Sequence, residues 1–104
     1  MALTRDFKET IQERARRDEA FRNALLTEAV QSMLSDDMET GKAVLRDYIN
    51  ATIGFEKLAH EMNKSPKSLM RMLGVAGNPR AQNLFSMISY LQKQEGVHLE
   101  VRTA

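Results

Sequence analysis

The chain has 104 residues, of which 42% are hydrophobic and 28% charged; we interpret residues 1–104 as a single globular domain. It contains no Cys, which excludes disulfides, thiolate nucleophiles and cysteine-based metal sites. The first ten residues carry charges where a signal peptide needs an apolar run, and no stretch has the length of a membrane span. We therefore expect a cytoplasmic protein with no membrane partner.

Charge is distributed unevenly along the chain, although the net charge is only +1. Residues 1–52 carry 8 basic and 10 acidic side chains, whereas residues 53–104 carry 7 and 4. Between Met62 and Gln94 there are five basic side chains and no acidic one: Lys64, Lys67, Arg71, Arg80 and Lys93. A one-sided stretch of this kind favours anionic partners, although on charge alone a chance fluctuation explains it equally well.

Two helices are predicted in residues 1–36, which we treat as an N-terminal helical extension. The four-residue spacing of Leu3, Phe7 and Ile11 predicts a first helix from about Thr4 to Arg16. Asp18 is a suitable cap for a second helix that ends near residues 35–37. Its apolar stripe consists of Phe21, Leu25, Leu26, Ala29, Val30, Met33 and Leu34.

Four further helices are predicted in residues 38–95. The third is opened by Asp37 or Thr40 and ended by Gly54, and a short fourth helix covers residues 55–62. Asn63 follows, at a position that favours a left-handed backbone.

Cap-and-proline pairs mark the last two of these helices. Ser65-Pro66 opens a fifth helix over residues 66–73. After a loop over residues 74–78, Asn78-Pro79 opens a sixth helix that ends at Gly96. The expected fold class is therefore all-α, with about six helices.

The segment 97–102 alternates apolar and polar residues, which predicts a short β-strand. A lone strand leaves its backbone groups unpaired, and the chain offers no second strand. A copy from another subunit would solve this, so we expect a homodimer paired through the C-terminal strand. The alternative is a tail that packs without pairing.

Residues suited to catalysis or metal binding are sparse. His60 and His98 lie on different elements, and neither has a carboxylate at a ligand spacing. The acidic run 36–39 is better explained as a helix start than as an ion site. "GVAG" lacks the spacing and the Lys of a phosphate-binding loop. We expect no enzyme activity, no catalytic or metal-binding residues and no cofactor.

The two short helices over residues 55–62 and 66–73 are joined by a tight turn, which is the helix-turn-helix pattern. The small Ala59 suits a steep crossing of two helices. Lys67, Met70 and Arg71 lie on the side of the second helix opposite its apolar residues, where that helix would meet DNA.

The stretch "GFEKLAHEMNKSPKSLMRML", followed by "NPRAQNLFSMISYL", resembles the helix-turn-helix of Cro and lambda-repressor type transcriptional regulators. More narrowly, "SLMRMLGVAGNPRAQNLFSMISYLQKQEGVHLEV" resembles the addiction-module antidote proteins, the HigA-like antitoxins. The resemblance implies base contacts by Ser65, Lys67, Met70 and Arg71. It also implies phosphate contacts by Lys64, Asn78, Arg80 and Asn83.

The resemblance implies a sequence-specific, double-stranded-DNA-binding transcriptional regulator, most simply a repressor. The narrower resemblance implies the antitoxin of a toxin–antitoxin pair that represses its own operon. The alternative from another class is a protein-interaction module that binds a partner such as a toxin without binding DNA.

Overall fold

The computed structural model describes residues 5–104. This part of the chain contains six helices and no strand. The helices are α1 (Arg5–Arg17), α2 (Glu19–Leu34), α3 (Met38–Ala51), α4 (Phe55–Glu61), α5 (Pro66–Met72) and α6 (Ala81–Glu95). The prediction of an all-α fold with six helices is confirmed for these residues. The predicted cap Thr4 and the apolar Leu3 lie outside them.

Side-chain caps set the starts of three helices where the sequence places them. The Asp18 carboxylate accepts a hydrogen bond from the Phe21 backbone N–H at 3.1 Å. The Asp37 carboxylate accepts one from the Thr40 N–H at 3.2 Å, and Ser65 caps α5 in the same way. Each cap satisfies an N–H group that has no partner inside the helix, so these starts are encoded locally.

In the core, α3 packs against both α1 and α2, and buried side chains of α4, α5 and α6 belong to the same cluster. Besides three alanines, eight large side chains among the described residues of this core are completely buried: Leu26, Leu45, Tyr48, Ile49, Leu58, Leu69, Leu73 and Met87. Leu34, which the stripe of α2 placed in the core, is instead 69% exposed at the end of that helix.

An ion pair between α2 and α6 ties the N-terminal helices to the rest of the chain. Arg22 Nε donates to Glu95 Oε2 at 2.9 Å, and its NH1 donates to the Ala15 carbonyl at 2.8 Å. Both charged side chains are mostly buried, so each depends on the other for compensation. The Cα radius of gyration is 13.0 Å, as expected for one compact unit of about 100 residues.

The start of α6 differs from the sequence prediction. Asn78-Pro79 was expected to cap and open this helix, but the N-cap residue is Arg80 and the helix begins at Ala81. The Arg80 side chain makes no capping hydrogen bond. Asn78 and Pro79 belong instead to the α5–α6 loop (residues 73–80), which is held in place by contacts with α3.

The predicted strand over residues 97–102 is not present in the described chain, and that prediction is wrong for the chain on its own. The Val97 N–H bonds to the Gln92 carbonyl at 3.0 Å, and the Leu99 N–H bonds to the Gln92 side-chain oxygen at 2.7 Å. Val97 and Leu99 pack on the core, whereas Val101 is 83% exposed. Within one chain, the segment therefore packs on the helices and does not pair with a strand. Strand pairing across a dimer stays a prediction.

Candidate nucleic-acid interface

The turn between α4 and α5 is fixed by backbone hydrogen bonds at the end of α4. The Lys64 N–H donates to the Ala59 carbonyl at 2.9 Å, and the Asn63 N–H donates to the His60 carbonyl at 3.2 Å. This is the Schellman pattern, which needs a left-handed residue just after the helix, and Asn63 has φ 57°. The buried Ala59 lies at the same point of α4. The chain therefore makes its turn within the four residues 62–65 before α5 begins.

Ser65 and Pro66 start α5 as the sequence predicts. Ser65 Oγ accepts a hydrogen bond from the Ser68 N–H at 3.1 Å, and Pro66 occupies the first turn of the helix. The cap uses the Ser65 oxygen as an acceptor, so the hydroxyl hydrogen remains free to donate. Ser65 is exposed. It can therefore cap α5 and contact a ligand at the same time.

The two sides of α5 have opposite characters. Leu69 is fully buried in α5, as is Leu73 just after it, so one side of the helix is fixed in the core. Lys67, Met70 and Arg71 are all exposed, Met70 by 47%. Their spacing of three and four residues puts them on one face, which we call the exposed face of α5. The structure thus brings together the side chains that the resemblance assigns to base contacts.

The side chains assigned to phosphate contacts are more scattered. Asn78 and Arg80 are exposed on the α5–α6 loop, whereas Lys64 and Asn83 are half-buried. A cleft of about 330 Å³ lies between α5 and the loop, lined by Ser68, Arg71, Met72, Ala76, Gly77 and Asn78. It places Arg71 beside Asn78, but Lys64, Arg80 and Asn83 do not line it.

Two cations of α3 hold the α5–α6 loop, and neither is among the residues that the sequence predicts for the interface. Lys42 is 1% exposed, and its Nζ lies 2.9 Å from the Gly74 carbonyl oxygen and 2.8 Å from that of Gly77. Arg46 NH1 donates to the Leu73 carbonyl. The signal for Lys42 was its spacing from Leu45 and Ile49, which places it on the buried face of α3.

The described residues, 5–104, contain no group of three or more His, Cys, Asp or Glu side chains that could hold a metal ion. His60 and His98 are both exposed, and they lie on α4 and on the C-terminal segment. Within this same part of the chain, no helix is both long and apolar enough to cross a membrane.

The chain was compared with protein-family models, with curated proteins and with solved structures. None of the three comparisons gives a match. A functional assignment therefore depends on the geometry of α4, α5 and the α5–α6 loop.

Proposed function

We propose that the protein is a sequence-specific DNA-binding transcriptional regulator that acts as a repressor. The observation that carries the proposal is the arrangement of α5. One side of the helix is fixed in the core by Leu69, and the other presents Lys67, Met70 and Arg71 to solvent. A short helix held this way after a tight turn has the form of the second helix of a helix-turn-helix motif, which enters the major groove.

The chemistry of the exposed face of α5 suits base edges. Arg71 and Lys67 donate hydrogen bonds of the kind that guanine O6 and N7 accept, and Met70 offers an apolar contact for a thymine methyl group. Ser65, at the start of the helix, has a hydroxyl hydrogen available for a base edge or the backbone.

Phosphate contacts fall to residues on either side of α5. Lys64 in the α4–α5 turn and Arg80 in the α5–α6 loop supply positive charge, and Asn78 and Asn83 supply amide donors. Because these contacts do not depend on sequence, Lys64→Ala should weaken binding to all duplexes alike. It should also lower the slope of log affinity against log salt by about 1.

The functional unit in this proposal is a homodimer. A repressor of this type docks one α5 per half-site, with half-sites about one helical turn (~34 Å) apart. The narrower form of the proposal is an antitoxin that represses its own operon and binds a toxin through another surface.

A gel shift tests the proposal. We expect the protein to bind its own upstream DNA more tightly than an unrelated duplex, and both affinities should fall as salt rises. Lys64→Ala should weaken binding to both, whereas Arg17→Ala, which removes an exposed cation of α1, should leave it unchanged. Absence of binding at low salt would contradict the proposal.

A protein-interaction module is the second candidate function, and one observation favours it. Leu34 is 69% exposed and Val101 is 83% exposed, and both line a groove of about 130 Å³ between α2 and the C-terminal segment. Such apolar exposure is typical of a protein contact. Co-purification of a partner by a protein that shifts no DNA would support this candidate over the repressor.

A further inference from the structure

Three backbone carbonyls of the α5–α6 loop accept hydrogen bonds from two cations of α3, about 30 residues earlier in the sequence. The Leu73 carbonyl accepts from Arg46, and the Gly74 and Gly77 carbonyls accept from Lys42. Leu73 is the C-cap residue of α5, where the helix carries the negative end of its dipole, so Arg46 is favourably placed there. Lys42 holds the loop at two further points, Gly74 and Gly77.

Lys42 is fully committed to this contact. Its ammonium group has three N–H donors, and it has three acceptors: the Gly74 and Gly77 carbonyls and a Glu39 carboxylate oxygen at 2.9 Å. At 1% exposure it has no access to another ligand. Burial of a charged side chain is weak evidence for stability, since an apolar side chain of similar volume often does as well. The role of Lys42 is better sought in the geometry that it imposes.

That geometry brings the loop into direct contact with the end of α5 at Gly77. A Cβ atom on Gly77 would lie 2.1 Å from the Arg71 carbonyl oxygen and 2.5 Å from that of Met72. The Gly77 N–H also bonds to the Gly74 carbonyl at 3.0 Å, and that carbonyl accepts from Lys42 as well. Holding Gly77 therefore fixes the next residue, Asn78, relative to the backbone of Arg71.

We propose that Lys42 is a positioning residue of the DNA interface, which acts through the α5–α6 loop without touching DNA. Supported by Arg46, it fixes the distance between the base-contacting face of α5 and the phosphate-contacting Asn78 and Arg80. This inference rests on the proposed function.

The test is a double-mutant cycle on DNA binding. Lys42→Met removes the ammonium group and keeps an apolar chain. Binding to the target duplex should fall about tenfold, a loss typical of coupled residues. Adding Arg80→Ala should then reduce DNA affinity much less than it does in the wild type, because the loop no longer presents Arg80 to the phosphate. Lys64 lies outside the loop, so Lys64→Ala should reduce DNA affinity by the same factor in the wild type and in Lys42→Met.

Glu39→Gln is the matched control. It removes the carboxylate, which is 62% exposed, and leaves both Lys42 hydrogen bonds to the loop in place. We expect its DNA affinity and its response to Arg80→Ala to stay close to wild type. If Lys42→Met does not fold, Arg46→Met releases the same loop at the Leu73 carbonyl, and the same cycle applies.

Amide hydrogen exchange at Gly74 and Gly77 gives a readout without DNA. Faster exchange in Lys42→Met, with unchanged exchange in α2, would support the loop anchor. If the wild type then bound no duplex, the proposed function and with it the DNA role of Lys42 would fail, and the anchor would stand. If the wild type binds DNA and Arg80→Ala reduces affinity equally in the wild type and in Lys42→Met, the positioning role alone would be overturned. Unchanged exchange at both glycines would overturn the anchor itself.

Discussion

Ser65 joins the stability of α5 to the proposed DNA contact. Its hydroxyl oxygen caps the helix, so Ser65→Ala should lower the free energy of unfolding by about 1 kcal/mol. Ser65→Asp keeps an acceptor at the cap and should retain that stability, but its negative charge should weaken DNA binding. Urea denaturation measures the first effect and a duplex titration the second.

The exposed Ser89 on α6 provides the control for both measurements. Ser89→Ala should change neither the unfolding midpoint nor the affinity. If Ser65→Asp binds DNA as tightly as the wild type, the phosphate backbone and the bases of the DNA do not lie near the start of α5.

Tyr48 should make the protein sensitive to alkaline pH. Its hydroxyl is buried and finds no hydrogen-bond partner among the described residues, and burial, followed by the nearby Glu95 charge, raises its pKa above the ordinary value of 10.0. The folded state thus favours the neutral phenol of Tyr48, whereas in the unfolded chain the same side chain ionises near its ordinary pKa of 10.0. Stability from this group is complete below that pH and decreases as the pH rises above it.

Tyr48→Phe tests this assignment. At neutral pH the variant should be as stable as the wild type within about 1 kcal/mol, because no hydrogen bond is lost. Above pH 10 it should lose less stability than the wild type in denaturant titrations. Identical slopes for wild type and Tyr48→Phe would rule out Tyr48 as the cause.

At the scale of elements, the contact between α5 and its following loop leaves no room for a side chain at Gly77. Gly77→Ala should destabilise the protein by about 1–3 kcal/mol, the usual cost of overpacking, and weaken DNA binding with it. At Gly74 an added Cβ would lie 3.4 Å from the nearest atoms, an ordinary contact, so Gly74→Ala should cost less. Thermal unfolding of Gly77→Ala and Gly74→Ala measures this difference. Equal unfolding midpoints for the two variants would contradict the close contact at Gly77.

Helix boundaries could be predicted from the sequence where the signal is local. The caps Asp18, Asp37 and Ser65 and the left-handed Asn63 lie where their side-chain chemistry predicts. Each depends on residues within about one turn, so a single short window contains the whole cause.

The start of α6 and the fate of residues 97–102 could not be predicted in this way. The loop before α6 is set by Lys42 and Arg46, more than 25 residues earlier, and these contacts override the local signal of Asn78-Pro79. The alternation in 97–102 predicts a strand only if a partner strand exists, and residues 5–104 on their own contain none. For the candidate site, the exposed side chains of α5 were predictable, whereas the α3 residues behind the loop were visible only in three dimensions.

At the scale of the whole molecule, the proposed repressor must place two copies of α5 on one duplex. The C-terminal segment is the predicted dimer contact. Val101→Glu should convert the dimer to a monomer without affecting the fold, because Val101 is 83% exposed and little of it is buried within one chain. Sedimentation equilibrium measures the mass, and Thr103→Glu adds the same charge at another exposed position as the control.

A wild-type monomer would contradict the dimer prediction. If Val101→Glu remains a dimer, the dimer contact must lie on another surface of the molecule. Phe85 on α6, which is 62% exposed, would then be the next residue to change.

The proposed function requires that the exposed face of α5 contact base edges in a sequence-dependent way. Selection of bound duplexes from a random pool tests it most directly, with the wild type beside a Lys67→Ala/Arg71→Ala variant that changes two exposed side chains and no core residue. The wild type should enrich a two-fold symmetric site with half-sites ~34 Å apart, and the variant should lose the enriched bases. No enrichment by the wild type, or the same enriched site with the variant, would contradict the claim.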